Sequence, residues 1–154
     1  NETRTRILIV GEGVTAAHVI RPLGLALGLD RAAYDVTFAC TPRYQYMVPG
    51  GAVRFEALES IPRDVFLKRL DRGAPLYTLA ELQACVRDDL RLIARVKPDI
   101  VVGDFRISMG ISSELSDVPY LALSNLHWSP NIELPLPPNK NRAAGTSTII
   151  PKNP

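Results

Sequence analysis

Cysteine is scarce in this 154-residue sequence. The two cysteines, Cys40 and Cys85, lie far apart, with no second cysteine pair and no histidine pair at metal-ligand spacing. Small disulfide frameworks and common zinc sites need several such residues close in sequence, so both are excluded as the basis of the fold. Two reduced, buried thiols are the expected alternative, and the sequence predicts no metal site.

Charge of one sign and long apolar runs are also lacking. Eighteen Lys and Arg residues against 16 Asp and Glu residues give a formal net charge of +2, which provides no broad basic surface for nucleic acid. No apolar run reaches the ~18 residues of a membrane span. The polar segment at residues 1–6 has none of the apolar character of a signal peptide. We therefore expect a cytoplasmic protein with no nucleic-acid partner and no transmembrane segment.

Short apolar or β-branched segments, which are typical of buried strands, alternate with helical patterns along residues 7–124. The predicted strands cover residues 7–10, 34–39, 53–58, 99–105 and 118–124. Strands that alternate with helices predict βαβ units, because parallel neighbours need crossover connections. The fold class is therefore α/β, a Rossmann-like doubly wound parallel sheet.

The helical patterns differ in clarity. Within residues 76–96, apolar residues recur at steps of three and four, which predicts one buried stripe and a polar face that carries Asp88 and Asp89. The stripe comprises Leu79, Leu82, Val86, Leu90 and Ile93. The first helix contains Pro22, and an interior proline disrupts a helix. We therefore expect the regular helix to begin near Pro22 and His18 to lie in the preceding loop.

The composition changes near the end of the chain. Residues 129–154 contain six of the 13 prolines and show no sustained periodicity. This composition predicts a loop or an irregular C-terminal tail. The expected organisation is one Rossmann-like domain over residues 1–128, followed by this proline-rich segment.

A glycine-rich loop follows the first predicted strand. Residues 11–16 (GEGVTA) match the G-x-G-x-x-A pattern, whose backbone N–H groups hold the pyrophosphate of a dinucleotide. The second strand, however, ends at Cys40 and Thr41 without the acidic residue that binds the ribose in such domains. An NAD- or FAD-binding domain therefore remains the alternative interpretation of this loop.

His18 and Asp104 lie far apart in sequence, but the predicted topology brings them together. In a sheet of strand order 3-2-1-4-5 the order reverses between the first and fourth strands, and ligands bind outside the carboxyl ends of those strands. His18 follows the first strand and Asp104 ends the fourth. An imidazole oriented by a carboxylate is suited to general-base catalysis, so the two residues form the predicted catalytic pair.

Three segments carry a family resemblance. Residues 6–27 (RILIVGEGVTAAHVIRPLGLAL), 98–108 (PDIVVGDFRIS) and 118–130 (VPYLALSNLHWSP) resemble the N-terminal half of GT-B glycosyltransferases. The resemblance extends to the UDP-glycosyltransferases and the macrolide and antibiotic glycosyltransferases. One departure is the position of Pro22, which lies four residues after His18 rather than the usual three.

The resemblance implies one half of a two-domain hexosyltransferase. The N-terminal half of such enzymes binds the acceptor, and the C-terminal half binds the nucleotide sugar. In this chain the family's catalytic histidine corresponds to His18 and its orienting aspartate to Asp104. His18 would deprotonate a hydroxyl of a small-molecule acceptor, which attacks the anomeric carbon with inversion and, in most members, without a metal. No cofactor is implied beyond the nucleotide-sugar co-substrate.

The donor-binding half is missing from the sequence, so the resemblance implies a C-terminal donor-binding domain or subunit as partner. We expect the isolated chain to be inactive or slow. Acceptor contacts are expected from the glycine loop, from the loop after the second strand and from the segment after the fifth. The acceptor-binding candidates are Gly13, Tyr46, Asn125, His127 and Trp128. A transferase half without catalysis, serving only as a binding module, is the third possibility. Arg106 is expected to be solvated.

Overall fold

The computed structural model describes residues 4–125. Five strands alternate with four α-helices, and a short 3-10 helix, Pro42–Met47, follows the second strand. The strands are β1 (Thr5–Gly11), β2 (Tyr34–Cys40), β3 (Arg54–Ala57), β4 (Ile100–Asp104) and β5 (Tyr120–Leu123). The helices are α1 (Ala17–Gly28), α2 (Arg63–Asp71), α3 (Leu79–Val96) and α4 (Ile107–Leu115).

The strands form one parallel sheet in the order β3-β2-β1-β4-β5. This order confirms the predicted α/β, doubly wound architecture. The order reverses between β1 and β4, whose register places Gly11 beside Asp104 at their carboxyl ends. The ligand-binding crevice of such sheets opens at this point.

Alternate residues of β1 face the two sides of the sheet. Ile7 and Ile9 pack in a cluster with Val19 and Leu23 of α1. Leu8 and Val10 pack instead in a second cluster with α3 and α4 residues. A strand buried on both faces is apolar at every position, which explains the continuous apolar run in the sequence.

The predicted start of α1 is wrong, because the helix begins at Ala17 rather than near Pro22. Pro22 is the sixth residue of α1 and has no N–H to donate to the carbonyl of His18 four residues earlier. That carbonyl lies over Gly11, where a Cβ atom would be only 2.7 Å from its oxygen. His18 therefore lies in the first turn of α1 and not in the loop.

The predicted buried stripe of α3 is also partly wrong. The buried residues are Cys85, Asp89, Leu92 and Ile93, whereas Leu79 is exposed. A hydropathy pattern counts Asp89 as polar, so the pattern does not identify the face of α3 that is buried. The N-terminus of α3 is set by a capping box, in which Thr78 and Glu81 bond each other's backbone N–H groups.

The compact α/β unit extends to Ser124. The predicted boundary after residue 128 and the predicted tail at 129–154 lie outside the described residues and stay predictions. Among the described helices, none combines the length and the apolar character that crossing a bilayer requires.

Candidate active site at the carboxyl edge of the sheet

His18 and Asp104 meet at the carboxyl ends of β1 and β4. Nδ1 of His18 lies 2.9 Å from Oδ1 of Asp104. The carboxylate is fully buried, whereas the imidazole side chain is 20% exposed. With Nδ1–H donating to the carboxylate, Nε2 carries the lone pair of the neutral ring. This geometry leaves an oriented, partly accessible imidazole at the edge of the crevice.

Arg21 binds the same carboxylate. Its Nε donates to Oδ2 of Asp104 at 2.6 Å, and its Nη2 donates to Oδ1 at 2.7 Å. This fork-shaped contact supplies the positive charge that a buried carboxylate needs. The bond to Asp104 raises the pKa of the Arg21 guanidinium above its ordinary value. His18, Arg21 and Asp104 are called the histidine cluster below.

Phe105 fixes the plane of the imidazole. Its ring stacks on His18 with centroids 4.5 Å apart and an interplanar angle of 11°. Phe66 contacts the Phe105 ring edge-on at 5.9 Å. Phe105 has a φ of 60°, a left-handed conformation that is unusual for an aromatic residue and costs about 1–2 kcal/mol. The backbone strain therefore lies next to the catalytic candidate.

A second charged group lies at the same edge of the sheet, on the side of α3 and α4. Nη1 of Arg106 lies 3.2 Å from Oε2 of Glu12, and its Nη2 lies 2.9 Å from Oδ1 of Asp89. Asp89 also accepts hydrogen bonds from the hydroxyls of Ser108 and Ser112. All three charged side chains are buried. Glu12, Asp89 and Arg106 are called the arginine cluster below.

The arginine cluster corrects two expectations. Arg106 is buried rather than solvated, and Asp89 lies on the buried side of α3 rather than on its polar face. The two carboxylates raise the pKa of Arg106 above its ordinary value, despite the opposing effect of burial. Arg106 also donates to the carbonyl of Glu59, which ties the loop after β3 to this cluster.

The glycine loop is closely packed against its surroundings. The N–H of Gly13 donates to Oγ of Ser60 at 2.9 Å, and its carbonyl accepts from Nη2 of Arg43 at 2.6 Å. A Cβ at Gly13 would collide with Thr41. Both backbone groups of Gly13 are thus engaged within the protein, and Gly13 itself is buried. The predicted contact between Gly13 and the acceptor stays a prediction, and Gly13 has little accessible surface for such a contact.

The other acceptor candidates are placed as follows. Tyr46 lies in the 3-10 helix after β2, with 77% of its surface exposed. Asn125 is exposed two residues after the end of β5. His127 and Trp128 lie outside the described residues. These four assignments remain predictions.

Residues 4–125 contain no group of three or more His, Cys, Asp or Glu residues that could hold a metal ion. Cys40 and Cys85 are both free and buried. Burial raises the pKa of the Cys40 thiol to about 12 and also raises that of Cys85. Neither thiol is therefore suited to act as a nucleophile near neutral pH.

Sequence relatives of the chain are glycosyltransferases. It is 43% identical, over 136 residues, to the "PGL/p-HBAD biosynthesis rhamnosyltransferase" of Mycobacterium bovis (strain BCG / Pasteur 1173P2). It is 37% identical, over 136 residues, to the "Inactive PGL/p-HBAD biosynthesis glycosyltransferase" of the same strain. Each match covers 87% of this chain but only 30% and 37% of the relative, respectively. No protein-family model matches the chain.

The fold gives the same relationship. The solved glycotransferase of kitacinnamycin superposes with a TM-score of 0.61 at 15% identity, covering 77% of this chain and 30% of that structure. The chain is thus similar in sequence to glycosyltransferases and in fold to a solved glycosyltransferase. The resemblance seen in the three sequence segments is thereby confirmed. The chain spans about 30% of the first relative's length.

Two residues of the candidate site were missed in the sequence. Arg21 lies three residues after His18, and residues at this spacing share one face of a helix. If the sequence had predicted that α1 begins at Ala17, Arg21 would have been identified as a neighbour of His18. Phe105 was assigned to the preceding strand, and its stacking on His18 has no signal in the sequence pattern.

Proposed function

We propose that the chain is the acceptor-side part of an inverting, nucleotide-sugar-dependent glycosyltransferase in which His18 is the general base. The observation that carries this proposal is the 2.9 Å contact between Nδ1 of His18 and the buried Asp104 carboxylate. The contact lies at the switch point of the sheet, where ligands of such folds bind. Its sequence relatives include a rhamnosyltransferase, which supports sugar transfer as the reaction class.

The proposed reaction uses the lone pair on Nε2 of His18. Nε2 takes the proton of the acceptor hydroxyl as the acceptor oxygen forms a bond to the anomeric carbon of the donor. The bond from that carbon to the nucleoside diphosphate breaks, and the leaving group departs with the electron pair. Asp104 holds the ring through Nδ1–H and stabilises the imidazolium as it forms.

The donor site belongs, in this proposal, to a C-terminal domain or partner subunit. The acceptor is a small hydroxyl compound, which Tyr46, Asn125, His127 and Trp128 would contact from the loops after β2 and β5. His127 and Trp128 come from the part of the sequence outside the described residues. The relative's name makes a nucleotide-activated rhamnose the first donor to test.

The dinucleotide alternative receives less support. A pyrophosphate bound by the glycine loop would need backbone N–H groups, but the Gly13 N–H already donates to Ser60. The loop also carries the Glu12 carboxylate, which is buried and ion-paired with Arg106. The binding-module alternative is tested as well, because one of the relatives is named inactive.

Transfer and binding assays separate the three functions. The protein, assayed together with its donor-binding part, would be incubated with nucleoside-diphosphate rhamnose or glucose and a panel of phenols and alcohols. Mass spectrometry would detect the added sugar, and calorimetry would measure binding of NAD(H) and FAD. Donor-dependent glycosylation of a hydroxyl acceptor is expected, with no dinucleotide binding at micromolar concentrations.

Two other results would each replace the proposal. Tight NAD(H) or FAD binding without sugar transfer would assign the glycine loop to a cofactor. Acceptor binding without transfer, under conditions in which the donor is bound, would assign the chain to a non-catalytic binding role.

A further inference from the structure

Side chains alternate between the two faces of the sheet along β4. Val102 belongs to the cluster that packs against α1, and Asp104 binds side chains of α1. Val101 belongs instead to the cluster that includes residues of α3 and α4. If this alternation continued past the end of β4, Phe105 would lie on the side of α3 and α4, and Arg106 on the side of α1.

The structure shows the reverse placement of these two residues. The Phe105 ring stacks on His18 of α1, with centroids 4.5 Å apart. Nη2 of Arg106 instead lies 2.9 Å from Oδ1 of Asp89 in α3. The reversal arises at Phe105, whose φ of 60° is left-handed, whereas a residue in a parallel strand has a φ of about −120°. This one conformation exchanges the sides on which the two side chains lie.

Glu12 holds the chain on both sides of Phe105. Its backbone N–H donates to the Asp104 carbonyl at 3.1 Å, and its Oε2 lies 3.2 Å from Nη1 of Arg106. The same Nη1 donates to the carbonyl of Glu59 at 2.7 Å. Because the residues before and after Phe105 are held in this way, its backbone keeps a conformation that is unfavourable for a residue with a Cβ atom.

We infer that Phe105 is a positioning residue whose left-handed backbone conformation, held by Glu12 and Arg106, orients the imidazole of His18. The hydrogen bond to Asp104 fixes the position of Nδ1, but one such bond leaves the ring able to swing about that atom. The stacked ring of Phe105 fixes the plane of the imidazole and thereby the direction of Nε2. The catalytic value of this orientation rests on the proposed transferase function, whereas the placement of the ring does not.

Two variants that both lose the ring test the backbone conformation. Glycine adopts a left-handed φ freely, whereas alanine meets the same steric conflict as phenylalanine. Phe105→Gly is therefore expected to unfold at a higher urea concentration than Phe105→Ala. Phe55 is the matched control, because it is also half-buried but lies in the extended strand β3. There the order should be the opposite, with the glycine variant less stable. A Phe105→Gly variant no more stable than Phe105→Ala would overturn the inference.

The effect on catalysis is measured in the protein assayed with its donor-binding part. Phe105→Leu keeps an apolar side chain without a flat ring, and it is expected to lower kcat by about 10- to 10²-fold with KM changed only a few-fold. Phe105→Tyr, which keeps the ring, should retain most of the wild-type kcat, and Phe55→Leu should leave kcat unchanged. A wild-type kcat in Phe105→Leu, or an equal loss in Phe105→Tyr, would overturn the positioning role.

NMR of the wild-type chain covers the case in which the Phe105 variants do not fold. The chain contains two histidines, so His127→Gln assigns the His18 signals. We expect nuclear Overhauser contacts between the ring protons of His18 and Phe105, together with the strong contact between the Phe105 amide and Hα protons that a left-handed residue gives. If either contact were missing, the inference would be wrong. The NMR and unfolding measurements need no sugar donor, so a failure of the proposed transfer reaction would be seen separately, as a lack of product from the wild-type protein.

Discussion

The histidine cluster and the arginine cluster lie at the same edge of the sheet, on its two opposite faces, and are built from similar parts. In each, an arginine is ion-paired with buried carboxylate groups, Asp104 in the first and both Glu12 and Asp89 in the second. They differ in access: His18 is 20% exposed and Arg21 is 39% exposed, whereas Glu12, Asp89 and Arg106 are all buried. The first can meet a substrate, and the second cannot.

This difference in exposure makes the histidine cluster the candidate for catalysis and the arginine cluster a part of the structure that stabilises the fold. The arginine cluster joins the glycine loop, the loop after β3 and helix α3 through Glu12, Glu59 and Asp89. None of its three charged side chains is reachable from solvent. In the histidine cluster the imidazole is 20% exposed, and it is held by both a carboxylate and a stacked ring. Similar charge pairs thus serve different purposes because their exposure differs.

The largest expected loss of stability comes from a substitution that disrupts the arginine cluster. Arg106→Met leaves two buried carboxylates without a cation, and loss of one partner of a buried ion pair costs about 3–5 kcal/mol. Arg21→Met should cost less, about 1–3 kcal/mol, because the Arg21 side chain is partly exposed to solvent. Urea unfolding of the two variants at pH 7 measures both free energies. Equal losses would show that burial does not distinguish the clusters.

A smaller effect is expected from the glycine beneath His18. In Gly11→Ala the new Cβ would lie 2.7 Å from the His18 carbonyl oxygen and 3.2 Å from Cα of Val19. The first turn of α1 must then move, at a cost of about 1–3 kcal/mol.

Gly24 in the same helix is the matched control for Gly11. A Cβ at Gly24 meets no atom within 4 Å, so Gly24→Ala should stabilise the chain by about 0.5–1 kcal/mol through helix propensity. Thermal unfolding of both variants gives the comparison. If Gly11→Ala were as stable as Gly24→Ala, the close approach of the His18 carbonyl to β1 would be refuted.

The sheet could be predicted because its strands are apolar on both faces. The run at residues 7–10 and the strand that ends at Asp104 are both of this kind, and the order β3-β2-β1-β4-β5 follows from right-handed crossovers. That order alone places Asp104 beside β1, so the meeting of His18 and Asp104 was predictable from topology.

The errors in the sequence predictions arise from tertiary interactions that override local patterns. Pro22 was expected to begin α1, but the packing of the His18 carbonyl on Gly11 accommodates it at the sixth position of the helix. Asp89 was expected on the polar face, but the cation that compensates its burial, Arg106, is 17 residues away. Arg21 was missed because its importance depends on the correct start of α1.

The role of His18 is tested most directly by replacing it in the protein assayed with its donor-binding part. His18→Gln keeps a side chain of similar size that donates hydrogen bonds but cannot act as a base. We expect kcat/KM for transfer to a hydroxyl acceptor to fall by about 10²- to 10⁴-fold, with the free energy of unfolding nearly unchanged. Transfer that persists within a few-fold of the wild-type rate would contradict the assignment of His18 as the catalytic base.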